Sequence, residues 1–297
     1  VPQDAALLAE PPADTVVARF PAACFALLDN PLIAHALAEF RSESEAGTRA
    51  FFDAVLPRCD AMVDVGAHIG LTALYCAGRV DRVTAFEPSP VNLGFLEANI
   101  ALNPGLAART RVQPCGLGAR DEEVTLYAKS LGDSGTSIHE LVERAQMLRG
   151  RPLATAWLQA ADPTLRALGV GRRTLVKIDI EGAEYQVVPA LAGLLAEAQP
   201  FLHLSCHPFN LVVPGDAYRT ALARVRGGIA LAEALACYPH MYFYRTGRWI
   251  RVAVEERMEL LERYLLEPKR VPGLASPQYG FIDAIGLSPE ALPELGG

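Results

Sequence analysis

The sequence predicts an α/β fold: a doubly wound, mostly parallel sheet with an antiparallel edge, preceded by a helical appendage. Three observations predict it. From Cys59 onward, short apolar runs alternate with stretches of helical periodicity, which implies right-handed crossovers between parallel strands. A glycine turn follows the first apolar run directly. Late in the chain, Met241–Ile250 reads as a hairpin turning at Thr246-Gly247, and a further strand follows near 279–285, so the last strands fold back on the sheet.

The elements follow in order. Residues 1–57 carry Pro2, Pro11, Pro12, Pro21 and Pro31 between Ala/Leu-rich segments that read as short helices. Asn30-Pro31 opens one that runs to about Phe40, and another covers about 46–56. This appendage is divided here from a catalytic unit spanning 58–297. Strands are expected at about 61–65, 82–86, 110–114, 123–128, 174–180 and 201–205. Helices are expected at 71–77, from the Ser89-Pro90 cap to about 102, at 139–149, at 154–168, at 183–196, in two stretches after 205, and near 254–266. The loop Gly132–Ser137 is rich in glycine and hydroxyls and reads either as a strap over ligands or as a plain solvent loop.

Bulk properties exclude several classes. The 297 residues are 51% hydrophobic, with a net charge of −7, and lack the basic footprint of a nucleic-acid binder. Six cysteines are scattered with no Cys-x-x-Cys pair, as in a protein with reduced thiols, and a cytoplasmic location is expected. The most apolar stretch, 185–204, is interrupted by Pro189, Glu197 and Pro200, so no membrane span is expected. The start shows no secretory pattern, and its first residue is Val, compatible with a piece of a longer multidomain chain. A homo-oligomer is equally compatible.

Ala61-Met-Val-Asp-Val-Gly-Ala-His-Ile-Gly70 carries the most chemistry. A buried strand runs into Asp64, and Gly66 and Gly70 allow a sharp turn and close approach of a ligand. The helix that follows offers unpaired N–H groups and a positive dipole end. Seventeen residues on, the run 82–86 ends in Glu87, placed to accept hydrogen bonds from ribose hydroxyls. Pro88, Ser89 and Asn92 follow it, and His68 lies within the turn. His68 occupies the second glycine position of a Gly-x-Gly-x-x-Gly dinucleotide fingerprint, and no phosphate loop is present. An acidic residue before the turn suits a cofactor with an ammonium group and no phosphate. S-adenosylmethionine (SAM) is therefore favoured over NAD.

A second cluster closes the strand at 174–180. In Lys177-Ile-Asp-Ile-Glu-Gly-Ala-Glu184, Asp179, Glu181 and Glu184 bunch where strand gives way to helix, at the strand end where open α/β sheets bind ligands. The next strand ends in His203-Leu-Ser-Cys-His207-Pro208; His207 is at the tip and His203 reads as a polar core residue. Phe209, Tyr242, Tyr244 and Trp249 are aromatics that either stack on an acceptor ring or pack in the core.

These clusters, in this order, resemble the FkbM-type family of SAM-dependent methyltransferases. The resemblance is carried by Val63–Gly70, Phe86–Pro90 with Asn92 and Asn99, the Gly116-Leu-Gly118 turn, and Val176–Glu184, and covers roughly residues 50–210. It implies a Rossmann-like class I methyltransferase sheet of seven strands and methyl transfer to a hydroxyl of a sugar or of a polyketide- or peptide-derived natural product. By position, Asp64, Gly66 and Gly70 would surround the methionyl part of SAM, Glu87 would bind its ribose, Cys115 and Gly116 would border the adenine, and Asp179 and Glu181 would face the acceptor. Cys206 stands where the family would place an acid.

An alcohol acceptor needs a general base; His207 is the first candidate and Asp179 the second. The competing device is Mg²⁺ or Mn²⁺ held by Asp179, Glu181 and His207. Two other readings stay open: methylation of a nitrogen or carboxylate, and a SAM-fold binding protein without catalysis.

Overall fold

The computed structural model describes residues 14–43, 45–128, 132, 134–139, 151–213, 216–245, 247–259, 268–269, 278–279 and 284–295. Eight strands form the central sheet: β3 (Ala61–Val65), β4 (Arg82–Phe86), β5 (Thr110–Gln113), β9 (Thr174–Ile178), β10 (Phe201–Leu204), β11 (His240–Arg245), β12 (Arg248–Val252) and β15 (Ala284–Ser288). Their order is β12-β11-β15-β10-β9-β3-β4-β5. From β5 to β10 the strands are parallel, with β3 at the centre between β4 and β9. β15 runs antiparallel between β10 and β11, and β12 pairs antiparallel with β11 at the edge. The mostly parallel class I sheet is present, with one strand more than the seven expected; β12 is the extra one, added because the 241–250 hairpin contributes both its arms.

β3 and β9 are buried at every residue, as central strands covered on both faces must be. α3 (Leu71–Ala77) and α4 (Pro90–Ala101) pack on one face with the N-terminal segment. α6 (Ala161–Ala167), α7 (Glu184–Ala190), α8 (Ala192–Ala198) and α9 (Ala217–Leu235) cover the other. Asp216 starts α9 by accepting a hydrogen bond from the Arg219 N–H. The helix expected over 183–196 is two short ones meeting at Leu191, two residues after Pro189. The two helical stretches expected after 205 are a 3-10 turn at Pro208–Asn210 and the single α9.

The N-terminal segment is only partly helical. β1 (Thr15–Arg19) and β2 (Cys24–Leu28) form an antiparallel hairpin where helix was expected. Its β-branched start, Thr15-Val-Val, favours strand. Two asparagines fix it to the sheet layer. Asn103, next to the short α5 (Pro104–Ala107), pairs with both the N–H and C=O of Ala26 at 2.8 Å. Asn99 of α4 accepts from Leu28 N at 3.0 Å and donates to Ile69 O at 2.9 Å. α1 (Pro31–Arg41), capped by Asn30, and α2 (Ala46–Val55) form as expected. Phe25, Ile33, Phe51 and Phe52 share one apolar core with Met62, Leu74 and Tyr75, so this segment is continuous with the sheet's packing.

A second correction concerns 154–168. β6 (Gly116–Gly118), β7 (Glu122–Ala128) and β8 (Arg151–Ala160) make a separate three-stranded sheet, and helix begins only at Ala161. Ala156 and Leu158 are buried while Thr155 and Trp157 are exposed, a period of two. Pairing with β7 overrides the helical propensity of these Ala and Leu residues. The last strand lies at 284–288, later than expected, while Tyr279 belongs to the small pair β13 (Pro268–Lys269) and β14 (Gln278–Tyr279). Residues 140–149 and 260–266, expected as helix, lie outside the described residues, as do Thr246, Asp133, Pro2, Pro11 and Pro12. No helix among the described residues is long and apolar enough to cross a membrane.

Candidate active site

The end of β3 makes the turn that the glycines predict. Gly66 and Gly70 have φ of +84° and +92°, values that side chains disfavour, and His68 joins them at +51°. The N–H groups of Gly66 and Ala67 both donate to Phe86 O, at 3.1 and 3.0 Å, fastening the turn to the tip of β4. A Cβ on Gly66 would overlap the carbonyl oxygen of Asp179. The first cluster of the sequence is thus in backbone contact with the second.

Glu87 is 4% exposed at the tip of β4. Its Oε2 accepts from His68 N at 2.8 Å, and its Oε1 accepts from Ser89 N at 2.9 Å and from Asn92 Nδ2 at 3.5 Å. Burial pushes its carboxyl up to about 7, against the pull of the two N–H groups. Ser89 occupies the N-cap position of α4, but its hydroxyl makes no capping bond; its N–H, not its side chain, does the work.

A cavity with about 610 Å³ of free space, mouth included, joins both clusters. Gly66, His68, Glu87, Pro88, Asn92, Gly116, Asp179 and Glu181, all among the candidate site residues of the sequence, line it. Leu117, Leu126 and Leu158, from β6, β7 and β8, give it an apolar wall that the sequence reading missed. The helical misreading of 154–168 concealed Leu158, although its alternation with Trp157 was a usable signal. Gly116 lies close to the leucine wall: a Cβ there would fall 2.6 Å from Leu158 Cδ2 and push that side chain aside. Ser134, Thr136, Ser137 and Ile138 complete the lining, so the loop that carries them borders the cavity. It is fastened at both ends, by His68 Nε2 to Gly132 O at 3.0 Å and by Ser137 Oγ to Glu181 O at 2.6 Å.

Five proposed residues do not line this cavity. Gly70, at φ +92°, closes the turn and precedes α3. Ser89 is fully buried. Cys115 points into the core beside Val63, Phe86 and Leu117. Asp64 is fully buried, its Oδ2 accepting from Thr72 Oγ1 and its Oδ1 lying 3.2 Å from Lys177 Nζ. His207 sits behind Asp179 and Glu181, 7% exposed. The aromatics Tyr242, Tyr244 and Trp249 are core residues, and Phe209 packs edge-on against His207.

Lys177 is the residue of this region most easily overlooked. It is charged, it lies in the middle of a buried strand, and a buried charge must be paired. Burial acts to lower its proton affinity, but Asp64 and Asp179 outweigh that and hold it firmly cationic. His203, in register with Lys177 on the next strand, is neutral; burial and Lys177 push it down to about 3, and Phe51, Phe52 and Trp249 surround it. It is a core residue, as expected.

His207 differs from the expected base. Its Nδ1 lies 3.1 Å from Glu184 Oε1, and its Nε2 lies 3.6 Å from both Asp179 Oδ1 and Glu181 Oε1. Burial acts to lower its pKa, but Glu181, Glu184 and Asp179 outweigh burial and push it up to about 10. At neutral pH it is an imidazolium and has no lone pair with which to take a proton. Glu184 also accepts from Gly182 N at 2.8 Å, so it clamps the turn as well as the imidazolium. Glu181 stands in the left-handed region at φ +49°, held there by Asn210, which donates from Nδ2 to both Glu181 O and Oε2 at 2.9 Å.

A pH effect on stability follows. A histidine whose pKa rises on folding contributes stability that is complete below its unfolded value of 6.5 and is lost as pH climbs toward about 10. Chemical denaturation of wild type is expected to show a loss on the order of a few kcal/mol across that window, while His207→Gln shows a flatter profile. Parallel profiles for the two proteins would remove this assignment.

The Methyltransferase FkbM domain model matches residues 64–213, about half of the chain. Methyltransferase sdnD of Sordaria araneosa is 33% identical over 158 residues, covering 45% of this chain and 61% of that protein. Hexuronic acid methyltransferase AglP of Haloferax volcanii is 26% identical over 136 residues, covering 46% of this chain and 52% of that protein. The chain therefore spans roughly half to three fifths of the length of these relatives. Among solved structures, a methyltransferase FkbM from Methylobacillus flagellatus aligns over 52% of this chain and 34% of its own, at 22% identity and a TM-score of 0.36. The matched span, Asp64 to Val213, contains the glycine turn, Glu87, the Asp179–Glu184 cluster and His207, and the chain belongs to the FkbM methyltransferase domain family.

Proposed function

We propose that this protein is a SAM-dependent O-methyltransferase acting on a hydroxyl of a small molecule, either a sugar or a polyketide- or peptide-derived product. One observation carries the reading: a single cavity is lined both by Glu87, a carboxylate that can accept from a diol, and by Asp179, a second carboxylate on the side of the acidic cluster. A relative whose name specifies a hexuronic acid supports the sugar alternative.

The residues fit the cofactor. Each Glu87 oxygen is anchored by one backbone N–H and keeps acceptor capacity for ribose hydroxyls. Asn92 is 2% exposed, lines the cavity, and its Oδ1 has no partner, so a second buried acceptor stands beside Glu87. Pro88, Gly116, Leu117, Leu126 and Leu158 offer an apolar slot of the kind a flat base fills. When bound, SAM supplies a methyl group already activated by its sulfonium.

The chain then has three tasks. The cavity walls orient the acceptor, which can lower the barrier by about 7 kcal/mol or more in favourable cases. The strap residues Ser134–Ile138 and the leucine wall limit water. Asp179, whose side chain is 35% exposed and faces the cavity, takes the proton of the acceptor hydroxyl. His207 stands behind it as a fixed cation, oriented by Glu184.

A second reading has its own observation. One ligand atom each from Asp179, Glu181 and His207 lie within 4.8 Å of one another, a spacing that suits a divalent ion. Such an ion would have to displace the His207 proton and would supply Lewis acidity to an acceptor oxygen. Activity that survives EDTA removes this reading.

Calorimetry with SAM, S-adenosylhomocysteine (SAH) and NAD, joined to a mass-shift screen over glycosides and hydroxylated natural products, tests the proposal. Binding of NAD alone, or of none of the three, would overturn it. The Glu87 carboxyl adds a pH signature. SAH affinity is expected to fall about tenfold as pH drops from well above to well below about 7, because the protonated carboxyl accepts fewer bonds. Glu87→Gln should bind weakly and without that pH dependence; retention of the dependence in this variant would show that another group causes it.

A further inference from the structure

Lys177 is not accounted for by either cluster taken alone. Its ammonium donates to Gly66 O at 3.0 Å and forms ion pairs with Asp64 Oδ1 at 3.2 Å and Asp179 Oδ2 at 3.7 Å. They belong to the cofactor turn, the strand beneath it, and the carboxylate facing the cavity. The Lys177 side chain is 6% exposed and Asp64 fully buried, so little water screens these charges. Glu45, at the N-terminus of α2, adds a third carboxylate to the same field, close enough that Asp179 and Lys177 both act on it. Asp179 is therefore shared. Its Oδ2 faces Lys177, its Oδ1 faces His207, and its exposed part faces the cavity.

A carboxylate at this place attracts a sulfonium. Too strong an attraction would stabilise the charged donor more than the transition state, in which that charge is being lost, and would slow transfer. We propose that Lys177 is a positioning residue that balances Asp179 and thereby sets how strongly the site prefers the cationic methyl donor over its neutral demethylated product. The proposal rests on the cavity being the SAM site. It assigns Asp64 a different task from direct contact with SAM: Asp64 anchors Lys177, with Thr72 fixing the other carboxylate oxygen.

The test is the ratio of SAH to SAM dissociation constants, measured by calorimetry at fixed pH and salt. Lys177→Met alone leaves Asp64 buried and unpaired, and that variant is expected to fold poorly. Lys177→Met combined with Asp64→Asn removes the pair without stranding a charge. It is expected to raise the ratio several-fold in favour of SAM, because Asp179 loses one of the two cations beside it, while the carboxylate removed with Lys177, that of Asp64, does not line the cavity. Asp179→Asn, with Lys177 intact, is expected to lower the ratio several-fold. A merely structural Lys177 would move both ligands together and leave the ratio alone, so an unchanged ratio in the double variant overturns the proposal. Should the double variant not fold, an unchanged ratio in Asp179→Asn overturns it equally. Failure of wild type to bind either ligand is a different result and refutes the SAM reading itself.

Discussion

Gly66→Ala is expected to weaken SAH binding by two orders of magnitude or more and to lower the thermal midpoint by several degrees. Two costs add. At φ +84° a Cβ is disfavoured by about 1–2 kcal/mol. The larger cost is contact with the Asp179 carbonyl, which is backbone and cannot rotate away. To make room, the tips of β3 and β9 must separate, although they are paired in parallel through Val65 and Ile178. Separation also pulls Gly66 O from Lys177 Nζ and the turn from Phe86 O. Calorimetry and a thermal melt read the two effects together. An alanine variant that binds SAH within threefold of wild type would mean that the turn is not where the cofactor lies.

Asp179→Asn is expected to lower turnover about 10²–10³-fold on the acceptor found by the mass-shift screen, the usual contribution of a positioned general base. The amide keeps the shape and the reach to Lys177 but cannot hold a proton. SAM affinity should change less than tenfold, since Glu87 and the leucine wall are untouched. The comparison of kcat with the SAM dissociation constant is therefore the measurement. Turnover within threefold of wild type would remove Asp179 as the base. It would then favour an acceptor that needs none, such as an amine or a carboxylate.

Much of the site was legible in the chain. Gly66, Gly70 and Glu87 announce themselves because a positive φ needs glycine and a strand tip needs a reason to carry an acid. The same reading erred where local pattern and tertiary partner disagree. Ala154–Ala160 has good helix formers, yet β7 makes it a strand and brings Leu158 to the cavity. Thr15–Leu28 lay among residues read as helical, yet it folds as a hairpin that Asn99 and Asn103 hold. His207 looked like a base because histidine ordinarily titrates near neutrality. Three carboxylates from a neighbouring turn make it a cation instead.

Periodicity and glycine spacing by themselves determined the α/β class, the glycine turn after the 61–65 strand and the acidic cluster at 179–184, because these depend on interactions between residues close in sequence. Only the tertiary structure decided which acid faces the cavity, which histidine is charged, and that Lys177 ties Asp64 to Asp179 across 115 positions of chain. Burial and charge pairing are properties of what surrounds a side chain, and for Lys177 and His207 those surroundings come from strands and turns that only folding brings together.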